Sequence, residues 1–339
     1  MKIGIVGLGY WGPNLVRNFM GCEGIDGVVC CDTQAKRMQK TKQRFPSVEL
    51  AETFPALLSR TDVGAVAIAT PVPTHFALGK SVLEAGKHLL LEKPMAGSSQ
   101  QAMELVELAR DRGLVLMVDH TFIYTGAVRK IREIIDQDVL GEMYYFDSVR
   151  VNLGLFQHDT NVIWDLAPHD LSIMSYLIDK EPVSVSAVGV NHFNGVEDMA
   201  YLTVRFEDKL MAHFHVNWLS PVKVRTILIG GSKHMVVFDD MEPSEKVKVY
   251  DKGVDLPEEE SMYRTLVQYR RGDMYAPQID STEALGLLTQ EFIDCIGQRK
   301  QPTSDGLLGL NVVRMLEAAE TSLRLDGQNV ELVDTAALR

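Results

Sequence analysis

The first twelve residues, MKIGIVGLGYWG, narrow the fold more than anything that follows. Lys2 to Val6 reads as a buried strand, and Gly7, Gly9 and Gly12 come directly after it as G-x-G-x-x-G, directly before a helical pattern. In that context each glycine has a task. The first permits a tight turn, the second lets a pyrophosphate approach the backbone, and the third lets helix pack on strand, while the helix N-terminus favours negative charge. Pro13 suits the first turn of such a helix, where no N–H is needed. Asp32 ends the next strand-like run, where a carboxylate can accept hydrogen bonds from the adenosine ribose hydroxyls. The same charge would repel a 2′-phosphate, so NAD is expected ahead of NADP, with Lys36 and Arg37 keeping some NADP use open.

Short β-branched runs alternate with helical patterns to about residue 120, as repeated βαβ units and a parallel sheet require. Strands are expected at Lys2 to Val6, Val28 to Asp32, Ala65 to Ala69, Leu89 to Glu92 and Leu114 to Val118, with a weaker one near Val48. Ser98 to Arg112 opens on a serine cap, carries apolar residues at helical spacing and stops at Gly113. Beyond His120 come longer alternating strands: Met143 to Leu153, Val183 to Val190, Ala200 to Phe206, Leu210 to Trp218, Val224 to Ile229 and Met235 to Phe238. Their short polar connections favour antiparallel pairing. Helices are expected around Ala127 to Ile135, Ile163 to Leu177, Thr282 to Gly297 and Gly306 to Leu325. The fold class is therefore α/β, a doubly wound parallel sheet of Rossmann type over residues 1–120 that binds NAD. An α+β domain is expected over 121–339, with a large, mainly antiparallel open sheet.

Composition excludes other classes. With 46% hydrophobic and 24% charged residues, the chain has an ordinary globular balance. Its net charge of -12 speaks against nucleic acid as a partner, because duplex binding leans on Lys and Arg at the phosphates. No apolar run approaches the ~18 residues of a membrane span, and the start lacks the pattern of an export signal, so no membrane association is expected. Cys22, Cys30, Cys31 and Cys295 are too few for a disulfide framework and fit a reducing cytoplasm.

Two further constellations can carry chemistry. Glu92-Lys93-Pro94 ends a strand at the carboxyl edge, where open α/β sheets bind ligands. The lysine can hydrogen-bond a substrate hydroxyl or the nicotinamide ribose, and its charge eases loss of the hydroxyl proton, although by itself a lysine after a strand is usually solvated surface. The Lys93-Pro94 bond is expected to be cis. In the segment Trp164-Asp165-Leu166-Ala167-Pro168-His169-Asp170, Asp165 and His169 share a helical face, and a histidine can take a hydroxyl proton as hydride leaves. The pair also fits a purely structural hydrogen bond. His158, Asp159 and Asp170 admit a zinc or manganese reading, which a nicotinamide domain upstream disfavours, so no metal is expected. For a diphosphate, Lys223 and Arg225 alternate onto one strand face, and Arg150, Arg270 and Arg271 are further candidates. Alternation puts His213, His215 and Asn217 on one face of their strand and Phe214, Val216 and Trp218 on the other.

Taken together, GLGYWG, the strand-end Asp32, Glu-Lys-Pro at 92–94 and D-x-x-x-H at 165–169 resemble the Gfo/Idh/MocA oxidoreductases over nearly the whole chain. The resemblance implies that Lys93 and His169 flank the reacting carbon, with Asp165 binding substrate or orienting the histidine. It implies cofactor contacts from Thr70, Pro71 and His75; Tyr10 and Trp11 inside the glycine turn, Arg37, Glu92 and Trp164 join the expected cofactor set. It also implies homodimers or homotetramers built through the open sheet face. The stretches VRVNLG, WDLAPHD, HFHVNWLSPVKVR and GDMYAPQIDSTEAL are similar to bacterial sugar-nucleotide 3-dehydrogenases. That similarity implies oxidation at C3 of UDP-N-acetylglucosamine or its uronate. A dehydrogenase of free sugars or inositols and a non-catalytic dinucleotide-sensing regulator stay open as readings, as does the choice of Lys93 or His169 as the base.

Overall fold

The computed structural model describes residues 1–154, 160–193, 195–255 and 268–332. It divides into two compact units, Met1–Thr125 with Thr282–Arg314, and Gly126–Ser281 with Met315–Arg339.

The first unit holds strands β1 (Lys2–Val6), β2 (Gly27–Cys31), β3 (Glu49–Leu50), β4 (Val63–Ile68), β5 (His88–Glu92) and β6 (Leu116–Asp119). They lie parallel in the order β3-β2-β1-β4-β5-β6. Helices α1 (Gly12–Phe19), α2 (Ala35–Arg44), α3 (Phe54–Leu58), α4 (His75–Glu84) and α5 (Ser99–Asp111) alternate with them. The strands are buried almost end to end, as a parallel sheet covered on both faces requires. Ser98 caps α5 by accepting the Gln101 N–H, as its sequence predicts. Strand order reverses between β1 and β4, which opens a crevice at their carboxyl ends.

Residues 282–314, expected from sequence in the second domain, fold with this first unit. The reason is apolar burial. Helix α8 (Ala284–Gln298) packs on α1, with Phe292 edge-on to Phe19 at 6.2 Å between ring centroids, and on the short helical turn Thr121–Tyr124. Ser304 then donates its hydroxyl to the Val118 carbonyl at 2.7 Å, tying the segment to β6.

The second unit opens with α6 (Gly126–Asp136), followed by β7 (Met143–Leu153) and α7 (Val162–Leu177). Strands β8 (Pro182–Val190), β9 (Met199–Phe206), β10 (Met211–Asn217), β11 (Leu219–Gly231), β12 (Met235–Asp239), β13 (Val247–Asp255) and β14 (Gln268–Tyr275) come next. Helix α9 (Gly306–Arg324) and the two-residue β15 (Val330–Glu331) end the described chain. The sheet runs β14-β13-β12-β11-β7-β10-β9-β8-β15. Its neighbours pair antiparallel except β7 and β10, which run parallel because the β8-β9-β10 meander brings β10 back along β7 in the same direction. Sequence patterning did not reveal β13, β14 or β15: VKVYDKGVD and QYRRGDMY carry charge on both faces, and β15 makes only two pairs. Phe214, Val216 and Trp218 are buried on the side where α7 packs, while Tyr201 stacks on His215 at 4.4 Å on the opposite face.

Candidate active site

The glycine turn after β1 has the shape its sequence requires. Gly7 adopts φ +92, and a Cβ there would meet the Ala69 carbonyl at 2.6 Å. A Cβ on Gly12 would run into the Gly7 carbonyl oxygen, whereas one on Gly9 would meet nothing nearer than the Arg37 guanidinium at 3.9 Å. The middle glycine therefore leaves backbone open to close approach. Asp32, just past β2, accepts the Leu8 N–H on Oδ2 and the Gln34 N–H on Oδ1, each at 2.7 Å. Each oxygen keeps a lone pair for a further donor such as a ribose hydroxyl. Arg37 stands 3.6 Å from Asp32 Oδ2. These residues fit a dinucleotide. Tyr10 projects from the turn, 93% exposed.

After β4, Thr70 shares a 2.6 Å hydroxyl contact with Thr74, and Pro71 accepts the Thr74 hydroxyl at 2.7 Å. His75, counted with the cofactor contacts by resemblance, is occupied otherwise. Its ring is fully buried, with Nδ1 at 2.9 Å from the Pro94 carbonyl and Nε2 at 2.8 Å from that of Thr70. It cross-ties the loops after β4 and β5, and burial holds its pKa below the usual imidazole value despite the two carbonyls.

Glu92 and Lys93 stand at the end of β5, and the Lys93-Pro94 bond is cis. Glu92 lies directly opposite Asp119 across the β5–β6 pair, and its Oε2 accepts the Lys93 N–H at 3.0 Å. Asp119 accepts the Trp11 indole N–H at 2.7 Å and the Thr121 hydroxyl. Trp11 therefore presents its ring N–H to β6 from within the glycine turn. His120 follows, 1% exposed, with neither ring nitrogen hydrogen-bonded among the described residues. Desolvation, and then the charge of Lys93, push its pKa down to about 3.

In the second unit, Asn161 caps α7 by accepting the Trp164 N–H at 3.2 Å. Asp165 and His169 follow one turn apart, both half-buried, on one helical face. Pro168 between them has no N–H to give the Trp164 carbonyl. The buried Trp218 donates its indole N–H to Asp165 Oδ2 at 3.0 Å, and the Trp164 indole donates to Glu320 at 3.0 Å. Among the arginines considered for a diphosphate, Arg150 is committed elsewhere. Its guanidinium is 4% exposed and forks onto both oxygens of Asp170, itself 3% exposed, at 2.8 and 2.7 Å. Arg225 donates to Asp240 at 3.2 Å and Arg270 to Asp251 at 2.7 Å, while Lys223 and Arg271 are exposed. His158 and Asp159 lie outside the described residues. Among the described residues no group of three His, Cys, Asp or Glu side chains is arranged for a metal ion, and no helix is long and apolar enough to cross a membrane.

The description "Oxidoreductase family, NAD-binding Rossmann fold" matches residues 1–120, and "GFO/IDH/MocA C-terminal domain" matches residues 128–237. The chain belongs to the Gfo/Idh/MocA oxidoreductase family. It is 27% identical over 322 residues to UDP-N-acetylglucosamine 3-dehydrogenase of Acidithiobacillus ferrooxidans, covering 92% of this chain and 94% of the relative. The solved structure of that enzyme matches with TM-score 0.81 and 24% identity, over 96% of this chain and 98% of that one. Levoglucosan dehydrogenase in complex with NADH and levoglucosan matches with TM-score 0.81 and 18% identity, over 98% and 100%. At such identities the structural likeness speaks for the Gfo/Idh/MocA fold alone.

Sequence reasoning missed Asp119, His120 and Trp218. The first two were within reach, since Leu114 to Val118 was read as a strand and its carboxyl end must lie with those of its neighbours. For Trp218 no local signal exists, because its link to Asp165 joins the end of β10 to α7.

Proposed function

We propose that this Gfo/Idh/MocA protein is an NAD-dependent dehydrogenase that takes hydride from a sugar hydroxyl, at C3 of a UDP-N-acetylhexosamine or its uronate. The reading rests on one combination: a turn shaped for a dinucleotide, Lys93 at the end of the fifth strand, and Asp165 with His169 on one face of α7. Gly7, Gly9 and Gly12 cradle the pyrophosphate and Asp32 takes the adenosine ribose hydroxyls, which favours NAD over NADP; Thr70 and Pro71 complete the cofactor set. When bound, the nicotinamide supplies the hydride acceptor. His169 accepts the hydroxyl proton, Asp165 is held by Trp218 to orient substrate or histidine, and Lys93 stabilises the developing alkoxide.

The nucleotide-sugar reading is supported by the 27% identical relative, with Lys223 and Arg225 as diphosphate partners. A free-sugar substrate is the second reading, favoured by the commitment of Arg150 to Asp170. The exposed sheet face, with Val188, Tyr201 and Met211, suits a second copy of the chain, and four free cysteines suit the cytoplasm. A screen of UDP-sugars against free polyols for NADH formation separates the two substrates. His169→Ala is expected to lower turnover about 10²–10⁴-fold while NAD still binds; near-normal turnover removes His169 from the role.

A further inference from the structure

Glu92, half-buried with its Oε1 shut off from solvent, and the buried Asp119 form a carboxyl pair that the scheme above leaves unused. They occupy paired positions of the β5–β6 register. Two carboxyl groups at neighbouring strand positions, one with a buried oxygen that no donor reaches among the described residues, disfavour a second negative charge. Asp119 already accepts from the Trp11 indole and the Thr121 hydroxyl. Glu92 has the opposite surroundings. Its Oε1 is buried with no donor among the described residues, and only the Lys93 N–H reaches Oε2. Burial first, and Asp119 next, raise its pKa well above the carboxylate range, against a smaller pull from Lys93. His120 contributes no charge, because it is held neutral at the same strand ends. Among the described residues, Asp119 and Lys93 are the titratable groups that act on Glu92, and His120 follows Asp119 and senses the charge of Lys93.

We propose that Glu92 and Asp119 share a single proton, carried by Glu92, and that this pair is a positioning element tying Lys93 to the glycine turn through Trp11. Glu92 is then a neutral donor rather than an anion directed at the cofactor. Trp11, in the turn that fits the pyrophosphate, is anchored on Asp119, and Asp119 holds the residue whose carboxyl supports the Lys93 backbone. Seating of a dinucleotide is thereby linked to where the lysine stands. The effect on turnover rests on the dehydrogenase reading; the shared proton does not.

Infrared spectroscopy of the full chain at neutral pH tests the proton directly. The carbonyl stretch of a protonated carboxylic acid is expected in the wild type and absent from Glu92→Gln. Thermal unfolding against pH gives a second readout. A carboxyl whose folded pKa is raised contributes stability below its unfolded pKa and loses it as pH rises through the folded value, so wild type should lose stability relative to Glu92→Gln as pH rises. For the positioning role, Glu92→Gln keeps a neutral donor to Asp119 and should restore most of the turnover that Glu92→Ala loses. Trp11→Phe, which keeps the ring and removes the N–H, should lower kcat about tenfold with the sugar KM little changed, the signature of a misplaced catalytic group. Absence of the acid band, or a Gln variant as impaired as Ala, overturns the proposal. A chain that oxidised no sugar would sink the dehydrogenase reading, and the infrared and melting results would still decide the shared proton.

Discussion

Asp170→Leu removes the carboxylate onto which the Arg150 guanidinium forks inside the second unit, and the cost can be worked from the surroundings. Two charge-assisted hydrogen bonds, at 2.8 and 2.7 Å, are lost from a group 4% exposed. Arg150 lies directly opposite Arg225 across the β7–β11 pair, so a second cation neighbours it. Removing one partner of a buried ion pair costs about 3–5 kcal/mol. At about 2–4 °C per kcal/mol for a unit of this size, the melting temperature should fall by about 6–20 °C. Replacing both partners, Arg150→Met with Asp170→Leu, should recover most of that loss, because the penalty lies in keeping a buried charge after its carboxylate is removed rather than in the missing attraction. Circular dichroism melts of the four proteins in a double-mutant cycle measure the coupling directly. The reasoning is refuted if Asp170→Leu melts within about 2 °C of wild type, since the pair would then not be desolvated. It is equally refuted if Arg150→Met leaves stability intact and raises the KM for a UDP-sugar, which would return Arg150 to diphosphate binding.

Gly12→Ala should abolish NADH binding, read by nucleotide fluorescence, because its Cβ would collide with the Gly7 carbonyl; retained affinity would mean the turn can shift. Asp32→Ser should move the kcat/KM ratio toward NADP by about tenfold or more, since it removes the charge that repels a 2′-phosphate and leaves Arg37 beside the site. His120, pushed down to about 3, contributes stability above its unfolded pKa and loses it as pH falls toward the folded value. Melting at about pH 5 should therefore cost the wild type about 2 kcal/mol that His120→Phe does not lose, and parallel pH curves for the two would contradict this. Trp218→Phe keeps the buried ring but takes the N–H from Asp165; kcat should drop about tenfold, and an unchanged kcat would mean Asp165 is not held this way.

What could be read from the chain alone was local. The glycine turn, the strand-end Asp32, the Glu-Lys-Pro segment and the one-turn spacing of Asp165 and His169 are each set within a few residues, where backbone sterics and helical periodicity decide the geometry. Most helices and strands showed for the same reason, and β13 and β14 did not because charged residues fall on both faces of their alternation. The parallel β7–β10 pair, the return of residues 282–314 to the first unit, and the commitments of His75 and Arg150 arise between residues far apart in the chain. A guanidinium looks the same in sequence whether it faces solvent or a buried carboxylate, and a strand-end Glu looks the same charged or neutral. Only packing fixes how much water each group keeps and which partner replaces it, and those two quantities determine the charge state of His120 and the tasks of Glu92, Asp119 and Arg150.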